Sequence, residues 1–70
     1  MKKAHLQRYV GRIVRLNNEI FQEIKRRAQR HGLALENSFL VAEVRQQFKQ
    51  LICYGSSYRV VVNLADVALV

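Results

Sequence analysis

The sequence predicts an α+β fold: one small domain spanning residues 1–70, with one helix set among about five short strands. Three observations carry this reading. Residues 18–31 keep apolar side chains at helical spacing between a capping asparagine and a glycine. Tyr58, Arg59, Val60, Val61 and Val62 form a β-rich run directly after the turn residues Gly55, Ser56 and Ser57. Seventy residues, half of them hydrophobic and none of them proline, leave room for one folded core and no linker. A chain this short buries only about 60% of the surface its unfolded form exposes, so a second copy could supply burial that one copy lacks.

Along the chain, residues 9–16 are expected to form the first strand, because Tyr9, Val10, Ile13 and Val14 favour β structure. Leu6, Tyr9, Val10, Ile13 and Val14 also keep helical spacing, so a backward extension of the following helix is the rival. Gly11, Asn17 and Asn18 weigh against one continuous helix. The helix itself is expected over about residues 18–31. Asn17 or Asn18 can cap it, Glu19 and Glu23 suit its positive end, Ile20, Phe21, Ile24 and Ala28 form its apolar stripe, and Gly32 stops it.

Residues 39–44 and 48–54 read as two strands joined near Arg45, Gln46 and Gln47, although Leu40, Val41, Val44, Phe48, Leu51 and Ile52 could also line one helix. The joint lacks Gly, Asn or Asp, which counts against a tight hairpin there. The hairpin across Gly55, Ser56 and Ser57 is the firmer one. Asn63, Leu64, Ala65 and Asp66 then offer one helical turn before a last short strand at residues 67–70.

A first strand such as Gly11-Arg12-Ile13-Val14-Arg15-Leu16, three central strands, and an ending in which Arg59 to Asn63 lead through one turn into Val67-Ala68-Leu69-Val70 resemble small SH3-like barrels. The resemblance covers nearly the whole chain and rests on element order. It implies a barrel of about five strands with one helix inserted after the first strand, in the place of a long first loop. The aromatic groove that takes proline-rich ligands is not recognisable. The implied role is that of a binding scaffold, since such barrels host many unrelated partners.

Charge is one-sided. The net charge is +7. Residues 1–32 hold nine cations, namely Lys2, Lys3, Arg8, Arg12, Arg15, Lys25, Arg26, Arg27 and Arg30, against Glu19 and Glu23, whereas residues 33–70 balance three against three. Clustered Arg and Lys attract phosphates and release counterions, so the asymmetry points to nucleic acid or an acidic protein surface. A solvated basic face is the plain alternative, since cations in the last turns also complement the helix dipole and Glu23 can pair with Arg26 or Arg27.

Chemistry-bearing motifs are not recognisable. Cys53 is the sole cysteine and sits in an apolar strand run, where it reads as a small core residue. His5 and His31 lie far from it in sequence, and no zinc-ligand spacing or phosphate-cradling glycine loop occurs. The expectation is a protein that is not an enzyme, with no cofactor, no metal and no identifiable small-molecule substrate. No apolar run approaches the roughly 18 residues that span a bilayer. Met1, Lys2 and Lys3 look like the charged start of a signal peptide, but His5, Gln7 and Arg8 interrupt the apolar stretch that would have to follow, and a single cysteine fits a reducing cytoplasm. Tyr9, Tyr54 and Tyr58 could stack on bases if they share a sheet face with Arg12 and Arg59, but strand tyrosines more often pack as core edges.

Together these readings describe a small basic binding module. Phosphates would be met by Arg8, Arg12, Arg15, Lys25, Arg26, Arg27 and Arg30, and no base-reading residue can be named. The alternative is a protein–protein interaction module or a homo-oligomerising accessory protein of a phage or mobile element, with no nucleic-acid role. The apolar ending Val67-Ala68-Leu69-Val70 adds the expectation of a homodimer or larger.

Overall fold

The computed structural model describes residues 6–70. A 3-10 turn, Leu6–Tyr9, precedes strand β1 (Ile13–Leu16) and helix α1 (Asn18–Arg30). Strand β2 (Phe39–Arg45), a 3-10 turn (Gln46–Phe48), β3 (Gln50–Gly55), β4 (Tyr58–Asn63), a third 3-10 turn (Leu64–Asp66) and β5 (Val67–Leu69) complete the chain. All five strands join one antiparallel sheet in the order β4-β3-β2-β1-β5. The α+β class, the strand count and the position of the helix after the first strand agree with the sequence reading. The leader, with Lys2, Lys3 and His5, falls outside the described residues.

Helix α1 begins and ends where its local chemistry dictates. Asn17 has extended backbone angles, and its side-chain oxygen accepts the Ile20 N–H at 3.0 Å, satisfying one of the unpaired donors of the first turn. At the other end Gly32 takes a φ of 79°, which a side chain would disfavour. This lets the Leu33 N–H reach the Ala28 carbonyl and the Gly32 N–H reach that of Gln29, both at 3.0 Å, which is the Schellman arrangement. Phe21, Ile24 and Ala28 are buried on one face, against β1–β4 side chains such as Val14, Phe39, Leu51 and Val60.

The first strand is shorter than residues 9–16. Tyr9 lies in the opening 3-10 turn, and Gly11 takes a φ of 84° that ends this turn and redirects the chain. Sheet bonding resumes immediately, since the Gly11 N–H donates to Val41 O at 2.8 Å and Arg12 O accepts from the Val41 N–H at 3.0 Å. Regular β1 starts only at Ile13. Where β1 outruns β2, the Asn37 amide stands in for a strand backbone. Its Oδ1 accepts the Leu16 N–H at 2.8 Å and its Nδ2 donates to the Leu16 carbonyl at 2.9 Å.

The β2–β3 connection also differs from the expected one. Phe48 belongs to the 3-10 turn and is 59% exposed, and Lys49 enters the left-handed region with a φ of 51°, doing without the Gly or Asn such a position favours. Within β2 the register shifts between Val41, opposite Cys53, and Glu43, opposite Ile52, so Ala42 is an extra residue forming a bulge. The bulge lets Val41 and Val44 both turn to the core although they are three residues apart.

The β3–β4 hairpin turns at Ser56 and Ser57 with φ values of 49° and 73°. Both central residues thus have positive φ, the type I′ geometry that prefers Asn-Gly. Left-handed backbone disfavours ordinary side chains by roughly 1–2 kcal/mol per residue. The Ser56→Asn, Ser57→Gly variant is therefore expected to be stabilised by about 1 kcal/mol, raising the melting temperature by roughly 4–8 °C. A thermal melt followed by circular dichroism checks this.

Candidate nucleic-acid interface

No charged or polar residue is buried among the described residues, so the core takes up none of the chain's cations. Arg8 is exposed in the opening turn, and Arg12 is exposed just after Gly11. Arg15 is exposed on β1 because it alternates with the buried Val14 and Leu16. Arg26, Arg27 and Arg30 are exposed on α1, away from Phe21, Ile24 and Ala28. Lys25 differs. It is half-buried, with its ammonium 5.9 Å from the centroid of the Phe21 ring, where a cation is attracted to the aromatic face.

These seven cations do not form one patch. Gln50 of β3 pairs with Asn63 of β4 at one end of the hairpin, and Gly55 pairs with Tyr58 at the other. The C-terminal end of α1 lies at the Tyr58 end, since the His31 and Tyr58 rings are 6.2 Å apart. Arg8 and Arg12 instead share a cavity with Leu64, whose N–H bonds the Lys49 carbonyl at the Gln50 end. Arg26 and Arg27 line two further clefts along α1, Arg26 with Asn18 and Gln22 and Arg27 with Gln50 and Asn63, and neither is the cavity that Arg8 and Arg12 share. Arg15 lines a separate, shallow cleft with Asn17 and Asp66 at the helix start. There Asp66 also accepts a 2.9 Å hydrogen bond from the Asn17 side chain.

The Arg8–Arg12 cavity has a volume of about 370 Å³ and is lined by Leu6, Arg8, Tyr9, Arg12, Leu64 and Leu69. Its rim is held by backbone bonds. The Arg12 N–H donates to Tyr9 O at 2.9 Å and the Val10 N–H donates to Gln7 O at 3.1 Å. Two arginines and a tyrosine therefore line it together with three leucines.

The three tyrosines do not share a face. Tyr9 and Tyr58 are half-buried and pack against the core. Tyr54 alone is exposed on the outer face, opposite Arg59 on one side and Leu40 on the other. That outer face was not apparent from the sequence. Ile13, Leu40, Tyr54 and Val61 are each about two-fifths exposed there, around Ile52 at 4%. The signal was present in Phe39-Leu40-Val41, Leu51-Ile52-Cys53 and Val60-Val61-Val62, three runs without the polar alternation of a strand that is wet on one side.

Cys53 is fully buried in the core, and burial pushes its thiol up to about 11 from an ordinary value of 9.0. The thiolate, which is the nucleophile, is thus suppressed. Because the folded-state value is the higher one, the contribution of this group to stability is fully present below pH 9.0 and is lost as pH rises towards about 11. Thiol alkylation at pH 8 is expected to be at least tenfold slower in the native protein than in denaturant, a contrast readable by mass spectrometry.

Among the described residues there is no group of three or more His, Cys, Asp or Glu side chains that could hold a metal ion. No helix among them is long and apolar enough to cross a membrane. No family model, curated protein or solved structure matches this chain.

Proposed function

We propose that this chain is a small SH3-like barrel that binds nucleic acid through its exposed arginines. The barrel reading is supported by the antiparallel order β4-β3-β2-β1-β5 and by the 3-10 turn between β4 and β5, with α1 lying over the core side of the sheet. The observation that carries the binding reading is the deployment of charge. Arg8, Arg12, Arg15, Arg26, Arg27 and Arg30 all reach solvent, in a chain whose net charge is +7. Cations spread over several separate clefts suit an extended polyanion, which can follow a surface, better than a compact acidic ligand. The residues assigned to phosphate are those six, with Lys25 in a weaker position because its ammonium is drawn to Phe21.

A second reading rests on the apolar outer face around Ile52, which suits a protein partner or a second copy of the chain. One titration separates the two. A labelled oligonucleotide is titrated at low salt with the parent protein and with Leu40→Glu, which charges the outer face. The proposal expects the parent to bind and the variant to lose only a few-fold in affinity. No binding by the parent, together with a change in the mass measured by light scattering between parent and variant, supports the protein-interaction reading instead.

A further inference from the structure

We infer that the cavity between the opening turn and β5 is a pocket for one unstacked nucleotide of a single strand, with its phosphate on Arg8 and Arg12 and its base against Tyr9 and the leucines. This rests on the nucleic-acid reading and adds to it the one place where a base, and not only phosphate, is met. Three features support it. The volume, about 370 Å³, lies in the range of small-ligand sites. The lining combines two arginines and a tyrosine, Arg8, Arg12 and Tyr9, with the leucines Leu6, Leu64 and Leu69. An anionic group joined to a flat apolar body is what such a mixed lining takes, and Tyr9, half-buried and packed on the core, is a fixed surface on which a base can stack.

The turn also prepares the site. Gly11, with its φ of 84°, folds the chain back so that the Arg12 N–H bonds Tyr9 O, and Arg8, Tyr9 and Arg12 come to one rim before any ligand arrives. Preorganisation of this kind lowers the ordering that binding would otherwise require. A duplex keeps its bases stacked inside, so the pocket selects single strands.

The test compares a thymidine oligomer of about eight nucleotides with an oligomer of the same length and charge that lacks bases. The parent protein is expected to bind the base-bearing strand about tenfold more tightly at equal salt. Tyr9→Leu should abolish most of that preference with the salt dependence unchanged. Leu69→Glu, at a side chain that is 45% exposed and so tolerant of change, should weaken both oligomers and remove the preference. Equal affinity of the parent for the two oligomers overturns the pocket while leaving the phosphate reading standing, whereas no binding of either overturns both. A preference that survives in Leu69→Glu and in a folded Tyr9→Leu places base recognition elsewhere and also overturns it. Should Tyr9→Leu fail to fold, the Leu69→Glu result decides alone.

Discussion

Replacing Gly55 with alanine is expected to destabilise the protein by about 1–3 kcal/mol, and the same replacement is expected to cost far less in a chain that already carries leucine in place of Phe39. A β-carbon at Gly55 would sit 2.7 and 2.8 Å from two ring atoms of Phe39. Phe39 has no room to retreat, because it is fully buried and its ring meets that of Phe21 edge to face with centroids 6.3 Å apart. Leucine at position 39 vacates the space of the ring edge at a cost of its own of about 1 kcal/mol or more, from lost burial and the lost aromatic pair. A chain of this length is stabilised in total by roughly 3–10 kcal/mol, so Gly55→Ala alone should be plain in a urea melt. The expected signature is coupling. Strict additivity of the two substitutions would show that Gly55 is not held small by Phe39.

The second large effect is expected in binding. Changing Arg26, Arg27 and Arg30 together to glutamine should keep the fold intact and lower the melting temperature only modestly. These side chains are exposed, glutamine is a good helix former, and the end of α1 is closed by the Gly32 and Leu33 backbone bonds whatever stands at those positions. The lost interaction with the helix dipole is worth about 0.3–1 kcal/mol per charge at most. Affinity for a single strand should nevertheless fall at low salt, and the slope of log affinity against log salt should shrink by about 0.7 for each phosphate contact removed. Because Arg8 and Arg12 line a cavity that none of the helix arginines lines, the losses from Arg8→Gln with Arg12→Gln and from the helix substitutions should add. An unchanged slope in the helix variant would make those arginines a solvated face and nothing more.

The parts of this fold that were legible in the sequence are those governed by local chemistry. Asn17, the stripe Phe21, Ile24 and Ala28, and Gly32 specify α1 almost to the residue, and Gly55, Ser56 and Ser57 mark a true hairpin. The misread parts depend on partners distant in sequence. Tyr9 and Val10 are β-formers, but the Gly11 backbone and the packing of Tyr9 on the core override that preference. Phe48 looks like a strand residue, yet Lys49 accepts a left-handed conformation that its sequence does not announce. The bulge at Ala42 breaks the two-residue period that would have separated the faces of β2. The candidate site was legible as a list of cations and not as a place. Charge counts cannot show that Arg8 and Arg12 come to line one cavity while Arg15, Arg26 and Arg27 line three others.

The most direct test of the central claim is the affinity of the parent protein for a single-stranded oligonucleotide across a salt series. If the exposed arginines of these separate clefts meet phosphates, log affinity should fall linearly with log salt, with a slope of about −2 or steeper, corresponding to three or more contacts at roughly 0.7 each. Absence of binding at low salt, or binding whose affinity does not change with salt, would contradict the account.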